Sequence, residues 1–197
     1  MAKNLEQRVA ELEKIVQELT KNKAVQIRKS LGLGDEFEIA GLKWKILDIT
    51  DKGYMCLADK LEAENQFDQK CNDWKASALR EYLNSQFYEM LAGEIGTENI
   101  IPFERDLLSM DGQTEYGTCE DTVSLLTLDE YRKYRKYIPN TRHYWWTCTP
   151  DSTKCNGDTR WVRVVSPSGN IGGGDCYLSL GVRPFCIFSS ALFESEE

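Results

Sequence analysis

Four residue types in the C-terminal third of the chain could do chemistry. Arginine and tryptophan alternate with valine in RWVRVV, three cysteines (Cys148, Cys155 and Cys176) lie close in sequence, and the single histidine is His143. In an extended strand, alternation sends Val162 and Val164 inward and Trp161 and Arg163 outward. An outward tryptophan beside an arginine pairs two residue types enriched at binding hot spots. The loops SPSGN and GGGDCYLSL add Ser, Asn, Asp and Tyr, which offer adaptable hydrogen bonds and a rigid amphipathic ring. The expected ligand-binding set is Tyr144, Thr147, Asp158, Arg160, Trp161, Arg163, Ser166, Asn170, Asp175, Tyr177 and Ser179.

Catalytic and metal chemistry find little footing. The cysteine spacing matches no zinc pattern, one histidine cannot complete one, and no acidic cluster suggests calcium. A thiolate nucleophile with His143 as base fits no recognisable motif. No G-x-S-x-G elbow, phosphate loop, dinucleotide fingerprint or H-E-x-x-H occurs, and IGGGD, lacking a lysine and a following helix, reads as a flexible turn. No catalytic residue, metal ligand or cofactor is expected. The seven cysteines read by default as reduced thiols, with a disulfide and a metal or catalytic role as the alternatives, and Cys56 and Cys186 as small core residues.

The elements that must position this surface follow from periodicity. With 197 residues and 41% hydrophobic content, one domain with an appendage is expected. Residues 1–24 read as a coiled-coil oligomerisation helix, with Leu5, Leu12 and Leu19 at d positions and Val9 and Val16 at a. Arg8 at g and the following Glu13 at e can pair between parallel chains, and the seam suits a homodimer or homotrimer. Residues 25–34 form a hinge, 35–190 the ligand-binding domain, and 191–197 an acidic tail. Leu42, Trp44 and Ile46 alternate with Lys43 and Lys45, and AG and DKG mark turns, so 35–59 predicts a three-stranded antiparallel meander. Asp73 caps a helix ended by Gly93, with Trp74, Leu79, Leu83, Phe87 and Met90 on its core face. Residues 94–120 read as an irregular loop, TVSLL as a strand, and Thr127 with Glu130 as a capping box opening a second helix. The class is α+β, with short antiparallel sheets and two helices.

The net charge of −8, concentrated in residues 32–123, argues against a nucleic-acid partner. No apolar run is long enough to span a bilayer, and the N-terminus lacks a signal-peptide core, so cytoplasmic synthesis is expected, with a virion as a further destination.

The order of several motifs adds a resemblance. Trp74, Ser77, Leu79-Arg80, Leu83-Asn84 and Phe87-Tyr88 are followed by Val123, Leu125-Leu126 and Glu130. Then come Trp145-Trp146, Pro150, Gly169 and Gly181-Val182-Arg183-Pro184. Over about residues 34–188 this series resembles an uncharacterised domain family of gut bacteria and their phages. That family is similar to the C-type-lectin-like fold of formylglycine-generating-enzyme-type domains and to the variable proteins of diversity-generating retroelements. Thr147 and Cys148 stand where the family pattern has Leu and Arg, and Ser168-Gly169 replaces its Asp-Gly turn. The resemblance implies a C-type-lectin-like domain in which a closing GVRP strand follows a segment that binds ligands and differs between copies. A protein or carbohydrate ligand is then expected. The competing expectations are a structural or assembly protein of a phage or bacterial particle, and a cysteine-dependent oxidase.

Overall fold

The computed structural model describes Arg8, Val9, Glu11, Leu12 and Lys14, then residues 31–59, 61, 63–157 and 159–193. The first five are helical and solvent-facing, including Val9 and Leu12; Leu5, Val16, Leu19 and the acidic tail beyond 193 lie outside the described residues.

The meander forms as its alternation predicts. Strands β1 (Glu36–Ile39), β2 (Leu42–Thr50) and β3 (Gly53–Ala58) pair antiparallel in sequence order. Ala40 and Gly41 both take positive φ (54° and 70°), the geometry that suits a two-residue hairpin. A register shift lies between Ile46 and Asp48, and the consecutive residues Ile46 and Leu47 are both buried because they face the cores on opposite sides of the sheet. The closing strand β13 (Phe185–Phe188) sits beside β3 and also pairs with β5 (Ile100–Ile101) and β8 (Val123–Ser124). All four β13 residues are buried because both faces are covered. Cys186 and Phe188 enter one core with Trp44, Trp74, Phe87 and Trp146. Phe185 and Ile187 enter the other with Leu47, Leu126, Tyr131 and Trp145.

The first helical segment departs from its expected limits. Asp73 caps only the 3-10 turn Trp74–Ala76; Ser77 caps helix α1 (Ala78–Tyr82), its hydroxyl accepting from Arg80 N. The helix widens into a π turn, Leu83–Phe87, and continues as α2 (Tyr88–Ile95) straight through Gly93 to Gly96, whose φ is 85°. At the π turn Asn84 reaches across, accepting from Val123 N (3.1 Å) and donating to Val123 O (2.7 Å). The extra residue per turn presents it to β8. Trp74, Leu79, Leu83 and Phe87 are buried as expected, whereas Met90 is exposed.

Residues 94–120 are not an irregular loop. They hold β5, β6 (Phe103–Asp106) and the start of β7 (Thr118–Asp121), a β6–β7 ladder whose pattern the intervening turns obscured. Thr127 and Glu130 form the capping box of α3 (Leu128–Tyr134). Glu130 Oε2 also takes the guanidinium of Arg105 at 2.6 Å, and Arg105 lies between the Phe103 and Phe185 rings.

The third sheet has β10 (Trp161–Val165) at its centre, between β9 (Trp145–Pro150) and β11 (Ile171–Asp175). IGGGD is therefore a strand, not a flexible turn, and none of its glycines has positive φ. At Gly174 the role is steric. A Cβ at Gly174 would lie 2.9 Å from Cζ3 of Trp146 and 3.0 Å from Val164 Cγ1, so only glycine lets the buried indole pack against this strand. Finally, β12 (Ser179–Leu180) pairs with β4 (Asn65–Gln66).

Gly174→Ala should destabilise the domain by about 1–3 kcal/mol in chemical denaturation. Gly172→Ala, whose Cβ would meet only Val164 Cγ2 at 3.6 Å, should be close to neutral. Equal effects at the two positions would refute the steric account.

Candidate functional site

The inner face of the β9–β10–β11 sheet buries Trp146, Val162 and Val164; the outer face carries Trp161 and Arg163. The two outer side chains lie over Gly173, where a Cβ would approach Arg163 Nη2 at 3.0 Å and Trp161 Cε3 at 3.2 Å. Trp161 is 47% exposed. Arg163 pairs with Asp151 (2.6 Å), while its Nε is buried without a hydrogen-bond partner among the described residues.

Beside them, Arg160 pairs with Asp175, lies over the Tyr177 ring (5.2 Å to the centroid) and donates to the Tyr177 hydroxyl at 3.2 Å. Hydrogen bonding to Asp175, followed by its charge, raises the Arg160 pKa. Tyr177 is 47% exposed. An open cleft of about 530 Å³ is lined by Asn156, Gly157, Thr159, Arg160, Trp161 and Asp175. Both cations have carboxylate partners, so the surface presents paired donors and acceptors around an aromatic plane rather than a cationic patch.

The cleft rests on loops tied from beneath. Asn72 is buried; its amide donates to Ser152 O (3.1 Å) and Trp161 O (3.0 Å), and its oxygen accepts from the Tyr116 hydroxyl (2.7 Å). Its backbone N–H donates to Thr159 O at 2.7 Å. The rim at 151–157 is held from the other side by two carboxylates. Asp111 accepts from Ser109 Oγ (2.5 Å), Ser152 Oγ (2.6 Å) and Asn156 Nδ2 (2.9 Å). Glu115 accepts from Cys155 N (3.0 Å) and pairs with Lys154 (3.4 Å). Hydrogen bonds from Ser109 and Ser152 lower the Asp111 pKa to about 2, and the Cys155 thiol and neighbouring donors do the same for Glu115.

Comparison with known proteins bears on the frame. Residues 49–190 match a family described as a domain of unknown function, DUF6273. The chain belongs to the DUF6273 family. No curated protein and no solved structure matches it. The matched span contains the cleft and every strand from β3 onward, while β1 and most of β2 complete the large sheet from outside it.

Of the residues expected at the site, this DUF6273 domain brings together Arg160, Trp161, Arg163, Asp175 and Tyr177. Asp175 is itself mostly buried and acts chiefly as the partner of Arg160. Thr147 is a correction: it is fully buried, and its hydroxyl donates to Arg163 O, which ties β9 to β10. Ser166 is also buried, in the turn joining β10 to β11, where its hydroxyl accepts from Asn170 N. That turn, with Asn170, packs near α3 through the Tyr131 hydroxyl bonded to Gly169 O, apart from the cleft. Ser179 lines a second, smaller cleft with Glu64, Asn65, Gln66 and Tyr82. Tyr144 is exposed beside Gly181, and Asp158 lies outside the described residues.

No sequence pattern marks Asn72, Tyr116, Asp111, Glu115, Asp151, Asn156 or Thr159 as part of the site. Asn72 contacts residues 80 and 89 positions away, a separation at which sequence carries no local signal.

Cys148 and Cys176 are buried, and burial pushes the Cys176 thiol up to about 11. Exposed Cys155 is raised by its hydrogen bond to Glu115. Among the described residues no group of three or more His, Cys, Asp or Glu side chains is placed to hold a metal ion. No described helix is long and apolar enough to cross a membrane.

Because the folded pKa values of Asp111 and Glu115 are depressed, the rim tether is fully present above the ordinary carboxylate range and is lost as pH falls through about 2. In an NMR titration, the Cys155 backbone and Asn156 side-chain amide signals should hold from neutral pH to about 4 and move only near pH 2. A midpoint at about 4 would show that the carboxylates do not hold the loop.

Proposed function

We propose that this DUF6273 protein is a non-enzymatic ligand-binding protein that presents Arg160, Trp161, Arg163 and Tyr177 as its recognition surface. The observation carrying this reading is the half-exposed Trp161 ring beside Gly173, with two carboxylate-paired arginines, Arg160 and Arg163, on the same strand segment. A large exposed ring held by a strand loses little entropy on binding, and paired charges supply donors and acceptors without favouring one sign of ligand. The raised thiol pKa values support a non-catalytic reading, since nucleophilic cysteines are held as thiolates.

The frame in this proposal is C-type-lectin-like, with the tryptophan-pair strand and the GVRP closure as its fixed ends. Solvent-facing Val9 and Leu12 on the N-terminal helix support self-association through a Leu5–Leu19 seam, which would multiply weak contacts through avidity. The ligand is a protein or a carbohydrate, and the setting is a phage, a prophage or a diversity-generating retroelement.

The full chain should be screened against a glycan array and a displayed peptide library. Trp161→Ala should weaken the selected binders about tenfold or more while leaving the unfolding midpoint nearly unchanged. Undiminished binding by that variant would remove this face as the site. Comparison of the same locus across related isolates tests the display role separately. Substitutions should concentrate at Arg160, Trp161, Arg163 and Tyr177 while Trp146 and Gly181–Pro184 stay fixed. Variation spread evenly over the surface would favour an assembly protein.

A further inference from the structure

The central strands of the large sheet carry an unassigned pair of thiols. Cys186 on β13 lies directly opposite Cys56 on β3 in an antiparallel ladder. Opposed residues point to the same face, and both cysteines are fully buried in the same core. Opposed Cα atoms in such a ladder stand about 4.5 or 5.5 Å apart. Both spacings fall within the roughly 4.4–6.8 Å range that a disulfide spans. The Cys56 thiol makes only a weak contact, to Tyr54 O at 3.4 Å, so turning it toward Cys186 sacrifices little.

We propose that Cys56 and Cys186 are a disulfide site, open in reducing surroundings and closed by thiol–disulfide exchange with a small-molecule disulfide such as oxidised glutathione. In the first step one protein thiolate attacks the glutathione disulfide, forming a mixed disulfide and releasing glutathione thiolate. The second protein thiolate then attacks the protein sulfur of that mixed disulfide, joining Cys56 to Cys186 and releasing the second glutathione thiolate. The two protein thiols are oxidised, their two protons pass to solvent or to the departing thiolates, and one glutathione disulfide is reduced to two thiols.

The bond would close residues 57–185 into a loop containing the cleft and all its tethers. It would also join the two strands already clamped by Ala58 N donating to Pro184 O (2.8 Å) and by Arg183 Nε donating to Ala58 O (3.1 Å). The inference is independent of the ligand-binding reading. Burial raises both thiol pKa values, so reaction in the folded chain waits on local opening and is slower than at exposed Cys155.

The test uses the full chain, unfolded in denaturant, refolded in a glutathione redox buffer, quenched by alkylation and mapped by peptide mass spectrometry. The expected product is a Cys56–Cys186 cross-link, with the unfolding midpoint raised by roughly 10 °C and restored by dithiothreitol. Cys56→Ala and Cys186→Ala should each abolish the dithiothreitol-sensitive shift. The peptide map of the unsubstituted chain decides the matter if either variant folds poorly. Recovery of Cys56 and Cys186 as alkylated thiols, or a folded product joining other partners such as Cys71 and Cys176, would overturn the proposal.

Discussion

The packing of Trp146 against Gly174 is the constraint on which the rest of this structure depends. The indole is fully buried, donates to Asn65 O at 2.9 Å and meets Phe67 edge-on at 5.8 Å between centroids. It thereby joins β9 to the stretch that carries β4. An aromatic of this size, inserted between a strand and the main core, leaves no room for a side chain at Gly174. On the outer face of β11 Gly173 presents no side chain, and Trp161 and Arg163 lie against it. Gly174 thus makes room for the buried indole on one face of the sheet, and Gly173 for Trp161 and Arg163 on the other.

Around that packing, buried cations and carboxylates fix the order of the elements. Asp121 is buried and accepts from the Trp74 indole (2.8 Å) and Arg80 (2.6 Å), holding the first helical segment on β7. Arg105 is committed to Glu130 and Ser124 between two phenylalanine rings. Arg183 is buried against Trp145, and desolvation lowers its pKa to about 10. Removing one partner of such a pair leaves an uncompensated charge or dipole inside, which is costlier than losing a surface contact. The motif residues Trp74, Arg80, Asn84, Glu130, Trp145-Trp146 and Arg183 all belong to this frame. None of them lines the cleft.

The cleft is built by a different device. Its rim is a turn-rich segment with little apolar burial of its own, so polar ties set its shape. One buried amide at Asn72 holds Trp161 and the rim from below, and Asp111 and Glu115 hold it from the side. Loops pinned at a few points by hydrogen bonds, above a rigid core, can accept changed side chains between the pins without loss of the fold.

Sequence by itself determined the features with short-range physical causes: the β1–β3 meander, the capping box at Thr127 and Glu130, the buried aromatic face of the first helix, and the outward Trp161 and Arg163. Each follows from a period of two or 3.6 residues, or from a side chain bonding to backbone three positions away. Only the tertiary structure decided the rest. IGGGD resembles a flexible turn until Trp146 is placed beneath it. Thr147 and Ser166 look available in the sequence, yet a neighbouring strand and a tight turn bury them. Asn72 and Asp111 lie in stretches without periodic pattern, and their importance rests on partners more than forty positions away. Local propensity shapes the strands and helices one by one, whereas a binding surface depends on which of them meet, and that is set by long-range packing.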